Sequence, residues 1–206
     1  MLTLYYAPHT CALASHIALE EAGADYNCVR VDFDGEEQKQ PGYLAINPKA
    51  RVPSLVTERG ILTETPAILI YISQLYPAAK LAPLDDPFEL ARVQSFNAYL
   101  CATVHVAHAH RRRGHRWADD PAAIASMAAK VPQTVAECFR LIESQMFAGP
   151  FVMGDRCTVA DFYLFTIARW LEGDSVDIAA LPKIQAHRER LSRRPGVVKV
   201  LAEELA

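Results

Sequence analysis

The strongest constraint on this chain is a change of pattern near Pro77. Before it, short apolar runs alternate with helical periodicity: a strand at 2–6, a helix at 11–22, a strand at 26–31, a helical turn near 42–46, strands at 53–57 and 60–63, and a helix at 64–76. Gly23 supplies a C-terminal stop for the first helix, and Arg59-Gly60 a tight turn between the last two strands. This is a βαβ unit followed by a ββα unit, so the expectation is α/β, with helices covering a mixed sheet. The stretch from Ala78 to Pro87, with Pro83, Pro87 and two aspartates, reads as a linker. Beyond it every segment is helical, at 88–113, 121–147, 158–171, 181–193 and 196–205, which predicts a second, all-α domain. The expected division is residues 1–78 and 87–206.

Composition narrows the function. Apolar residues make up 51% and charged residues 22% of the 206, ordinary for a globular protein with a real core. A net charge of −3 gives no footprint for nucleic acid, and no apolar run is long enough to span a membrane. The first residues run directly into a strand, without the basic segment, apolar stretch and cleavage site of a signal peptide, so a cytoplasmic location is expected. Cys11, Cys28, Cys101, Cys138 and Cys157 are odd in number and widely spaced with no C-x-x-C pair, which fits reduced thiols.

The chemistry concentrates in three short segments. In Tyr5-Tyr6-Ala7-Pro8-His9-Thr10-Cys11, a strand turns into a helix, with Thr10 a candidate N-cap and Cys11 in the first turn. Free N–H groups and the positive end of the dipole there favour a thiolate and predict a lowered thiol pKa; the other reading of Cys11 is a small buried apolar residue. The Val52-Pro53 bond, at the start of a strand, can be cis and turn the Val52 backbone toward an extended peptide, or the proline can simply end a loop. Glu64-Thr65-Pro66 opens a helix whose free N–H groups, with the Thr65 hydroxyl, suit a carboxylate, while Glu64 suits an ammonium. Together these complement a peptide carrying a free amino-acid head and a thiol.

With these segments in order, and with Asn47-Pro48-Lys49, Leu62-Thr63-Glu64-Thr65 and Gly154-Asp155 before Thr158-Val159-Ala160-Asp161, the chain resembles a cytosolic glutathione transferase of the bacterial beta class over nearly its whole length. The resemblance implies an N-terminal thioredoxin-like domain joined to a C-terminal helical bundle, a homodimer, and glutathione as co-substrate alongside a small electrophile. It assigns Cys11 to the glutathione sulfur, the Val52 backbone beside Pro53 to the cysteinyl part, Glu64 and Thr65 to the γ-glutamyl head, and His105 to the neighbourhood of the thiol. The sequence departs from the family at Thr65, where Ser or Gly is common, at Ala98, where Asn is common, and at Thr103, where Glu is common; a lysine expected before Pro41 has no clear partner among Glu36 to Lys39.

Rival readings remain for several residues. His105 and His108 share a face at i, i+3 in a geometry a metal could use, but no carboxylate or cysteine stands at ligand spacing and Arg111-Arg112-Arg113 would repel a cation, so no metal is expected. Those arginines read as the solvated C-terminus of a helix. One of Tyr5 and Tyr6 should face the core, and Thr158 with Asp161 reads as a structural capping box. Against conjugation stand a thiol-disulfide oxidoreductase, disfavoured because Cys11-Ala12-Leu13-Ala14 lacks a second cysteine, and a non-catalytic ligand- or partner-binding protein.

Overall fold

The computed structural model describes residues 1–205; the last residue of the expected second domain lies outside the described residues. The first half contains β1 (Leu2–Tyr6), α1 (Ala12–Glu21), β2 (Tyr26–Arg30), α2 (Pro41–Leu44), β3 (Ser54–Thr57), β4 (Gly60–Thr63) and α3 (Thr65–Leu75). The sheet order is β2-β1-β3-β4, with β2 parallel to β1 and both other pairings antiparallel, as a βαβ unit followed by a hairpin requires. Along β1 the period of two is visible: Leu2, Leu4 and Tyr6 are buried, while Thr3 and Tyr5 are less so. Tyr6 is thus the core tyrosine, and the Tyr5 ring meets Tyr43 edge-on at 5.9 Å.

Helix α1 is buried from Ala12 to Leu19, because it packs against β1 and α3 within its own half and against helices of the other. Its apolar character all round, rather than on one stripe, is the signature of that position.

The second half contains α4 (Pro87–Tyr99), α5 (His105–Arg113), α6 (Pro121–Leu141), α7 (Val159–Ala168), α8 (Pro182–Ser192) and α9 (Pro195–Leu205). The continuous helix expected at 88–113 is interrupted by a π-helical segment at Leu100–Val104, and the one expected at 121–147 ends in another at Ile142–Met146. Periodicity cannot reveal this, since one wider turn leaves the apolar count unchanged while rotating everything after it; the first such turn delivers His105. Every residue of α7 is buried. Its capping box is present, with Asp161 Oδ2 accepting from Thr158 N at 2.7 Å, and Oδ1 also accepts from Val152 N at 2.8 Å and pairs with the buried His187 Nε2 at 3.0 Å. Among the described residues no helix is long and apolar enough to cross a membrane.

Candidate active site

The turn from β1 into α1 brings Cys11 to the surface of the N-terminal half, under the helices of the other. Thr10 Oγ1 donates to Ala7 O at 2.7 Å and accepts from Ala12 N at 3.3 Å, and Cys11, not Thr10, is the N-cap. The thiol is only 9% exposed and donates to the Val52 carbonyl at 3.6 Å. The Val52-Pro53 peptide is cis, and among the described residues the Val52 N–H has no partner. The loop that presents Val52 is braced from within: the Tyr43 hydroxyl and the Asn47 amide donate to Arg51 O at 2.6 and 2.7 Å and also meet Ser54 Oγ.

The third segment closes the site. Thr65, the first residue of α3, is buried with its hydroxyl beside the Cys11 sulfur. Glu64 precedes it at φ 72°, its carboxylate half-exposed and paired with Lys49, whose ammonium also donates to Thr63 Oγ1 at 2.7 Å. His9, Ala50 and Glu64, one from each segment, all adopt left-handed backbone. Such conformations are costly for residues with a side chain, and three of them converging on one cysteine mark a built site.

The electrostatics overturn one expectation. Burial pushes the Cys11 thiol up to about 11, while the Thr65 hydrogen bond and the charge of Arg113 pull it only partly back. The lowered pKa predicted from the helix N-terminus is absent because desolvation of a sulfur under two domains outweighs the field of one helix end. At neutral pH, Cys11 is therefore a hydrogen-bond donor.

Across the cleft, His105 lies edge-on to Trp170 at 5.0 Å, and His108 stacks on the same indole at 4.3 Å. Trp170 Nε1 donates to His9 O at 3.2 Å, tying the helical half to the Cys11 turn. Buried Asp174 holds His108 Nδ1 at 2.7 Å and lies 3.3 Å from Arg111 Nη1. Burial, and then the charges of His108, Arg113, Arg51 and Arg116, hold the His105 imidazole down to about 4. Among the described residues no hydrogen bond joins His105 to Cys11.

Comparison with known proteins now decides the family. The glutathione S-transferase N-terminal domain model matches residues 1–74 and a glutathione S-transferase C-terminal domain model matches 113–204. The chain belongs to the glutathione S-transferase family. It is 31% identical over 206 residues to glutathione S-transferase GstA of Escherichia coli O157:H7, covering 98% of each chain. It is also 31% identical over 197 residues to a maleylacetoacetate isomerase of Pseudomonas aeruginosa, covering 93% of this chain and 91% of that one. A solved structure of a glutathione transferase homolog from Sulfitobacter, with glutathione bound, shares 46% identity at a TM-score of 0.96 and covers 100% of this chain and 99% of its own.

The fold is accordingly the glutathione transferase fold, a thioredoxin-like mixed-sheet domain followed by a helical one, and the protein is an enzyme, a glutathione transferase. Of the residues singled out from sequence, the structure gathers Cys11, Val52, Pro53, Glu64 and Thr65 around one turn and sets His105 on the helical wall. One reading from sequence needs correction. Arg111 and Arg113 do not merely decorate a solvated helix end, since Arg111 meets buried Asp174 and Arg113 acts on both Cys11 and His105. Thr65, in the first turn of α3, is buried beside Cys11.

Sequence reasoning missed Cys101, which lies near Tyr163 and Cys11, and also Arg51 and Arg116. The one available signal was that Cys101 precedes His105 by four residues, one helical turn.

Proposed function

We propose that this transferase joins the thiol of glutathione to small hydrophobic electrophiles in the manner of the bacterial beta class, with glutathione-dependent thiol exchange through Cys11 as a second activity. The convergence of Cys11, the free Val52 N–H and the first turn of α3 on one spot carries this reading. The glutathione bound in the Sulfitobacter relative supports it.

In this mechanism the Val52 backbone and Pro53 clamp the cysteinyl part. The Glu64 carboxylate takes the ammonium of the γ-glutamyl head in exchange for Lys49, and the N–H groups of the Thr65 turn take its carboxylate. Cys11, protonated at neutral pH, turns its S–H from the Val52 carbonyl to the ligand sulfur and stabilises that sulfur as a thiolate, assisted by the positive end of α1 and the charge of Arg113. His105, held neutral, serves as a hydrogen-bond partner near the thiol and not as a store of charge. The thiolate then attacks the electrophile held against the Trp170 wall.

Cytoplasmic residence, a role in detoxification, a homodimer, and a division into 1–78 and 87–206 belong to the same reading; the family matches at 1–74 and 113–204 support the division. The deciding experiment is Cys11→Ala. It should abolish the mixed disulfide with glutathione seen by mass spectrometry while leaving measurable conjugation. Loss of both activities in a folded variant that still binds glutathione would make Cys11 essential to conjugation and overturn the division of labour.

A second reading of the substrate rests on Arg51, Arg113 and Arg116, whose charges all bear on His105. Three guanidinium groups suit an electrophile that carries carboxylates, and the similarity to a maleylacetoacetate isomerase supports it. Turnover of neutral against carboxylated electrophiles, with Arg113→Ala lowering only the latter, separates the two.

A further inference from the structure

A second thiol stands well apart from Cys11 in chemistry and in place. Cys28 is an exposed residue of β2, the edge strand of the sheet, and its partly covered Sγ lies 3.3 Å from His16 Nε2. His16 belongs to α1 and is 1% exposed, packed between the rings of Tyr6 at 5.4 Å and Tyr26 at 5.7 Å. Its other nitrogen, Nδ1, lies 3.0 Å from Oε1 of Glu204, a buried carboxylate of α9. Glu203 Oε2, at the surface, is 3.4 Å from Nε2. In the tautomer that carries its proton on Nδ1, toward Glu204, Nε2 presents its lone pair to the Cys28 thiol, and Glu203 stands where it can pair with the imidazolium once Nε2 takes the thiol proton. Nucleophile, base and orienting carboxylate thus stand in line, drawn from three elements.

We propose that Cys28 is a second reactive thiol, activated by His16 and Glu204, that forms a mixed disulfide with small disulfides of the glutathione type. Burial, and then the charges of Glu203 and Glu204, push the Cys28 thiol up to about 12, so it rests protonated, as the hydroxyl of a serine triad does. Reaction therefore proceeds by proton transfer during attack. Cys28 Sγ bonds to one sulfur of the disulfide as the S–S bond breaks; the S–H proton passes to His16 Nε2, and from there to the departing thiolate. One protein thiol and one disulfide give one mixed disulfide and one free thiol, with nothing else consumed. The imidazolium formed in passing is stabilised by Glu204 on one nitrogen and Glu203 near the other.

The test uses the full chain carrying Cys11→Ala, so that thiol exchange at the first site is silent, exposed to glutathione disulfide at neutral pH and followed by intact mass and peptide mapping. A single adduct on Cys28 is expected. General-base assistance is worth on the order of a hundredfold or more, so His16→Gln and Glu204→Gln should each slow the adduct by about that factor with circular dichroism unchanged. Since His16 is a core residue, Glu204→Gln decides if His16→Gln does not fold. Cys28→Ser in the otherwise native chain should lose this adduct and keep conjugation at its full rate. No adduct on Cys28, or an equal rate in Glu204→Gln, overturns the proposal.

Discussion

Cys11 caps the helix that follows β1, and Cys28 stands in the middle of the neighbouring strand β2, opposite Leu4; by the usual signs only the first should have its thiol pKa lowered. Cys11 has the helix N-terminus that lowers thiol pKa; Cys28 stands on an exposed edge strand beside two carboxylates. Yet both thiols are raised, to about 11 and about 12, and the first cause in each is burial. What separates them is the partner. Cys11 faces hydrogen-bonding oxygens, the Val52 carbonyl and the Thr65 hydroxyl, which let it donate a proton into a hydrogen bond. Cys28 faces an imidazole, which can take the proton away. A thiol's surroundings assign its role more firmly than its pKa does.

The largest effect expected from this contrast is kinetic. With the thiol at about 11, Cys11 at pH 8 is thiolate in roughly one molecule per thousand, so its alkylation by iodoacetamide should run on the order of a hundredfold slower than that of a free cysteine. Rates followed by mass spectrometry on a Cys28→Ser background check this; alkylation as fast as a free thiol would restore the helix-dipole view.

Next in size is Glu64→Ala. A hydrogen bond to a charged group is worth about 1.5–3 kcal/mol, so calorimetry should show glutathione binding weakened by tenfold or more. The adduct rate at Cys28 should not change, and if it did the two sites would not be independent.

His105→Leu probes the wall opposite Cys11. Between an unfolded value near ~6.5 and the folded value of about 4, the unfolded chain binds the extra proton, so His105 makes stability rise with pH across that window and fall as pH drops through it. Partial exposure reduces the effect to about 1–2 kcal/mol. Urea melts at pH 4.5 and pH 7 should differ less in His105→Leu by that amount, and conjugation in the native enzyme should show no inflection from His105 above pH 6.

The smallest effect is that of Thr65→Val. It removes one neutral hydrogen bond to the Cys11 sulfur, worth about 0.5–1.5 kcal/mol, and should raise the thiol titration further, by about one pH unit or less. Titration of thiolate absorbance at 240 nm or so in a chain keeping only this cysteine measures it; a fall instead would mean that Thr65 does not touch the sulfur.

How far each part was legible follows from how far apart its pieces lie in the chain. Strand β1, the stop at Gly23 and the hairpin at Gly60 depend on residues a few positions apart, and each stands where its local pattern put it. Cys11, Val52 and Glu64 could be linked because each lies in a short segment whose backbone need is written in its own residues. The π-helical turn at Leu100–Val104 could not, since no composition distinguishes it from the helix around it. Nor could the pairing of His108 with Asp174 or of Trp170 with His9, which join residues 66 and 161 positions apart.

By itself, then, the amino-acid order determined the order of elements, the mixed sheet, the second helical half and the three segments of the glutathione site, because propensity, periodicity and turn chemistry act over a few residues. The tertiary structure alone decided that Cys11 is a donor and not a thiolate, that Arg113 bears on the site, and that Glu204 reaches His16 from 188 residues away. Desolvation and charge depend on what is packed over a group, and in this chain the covering residues come from the other end of the molecule.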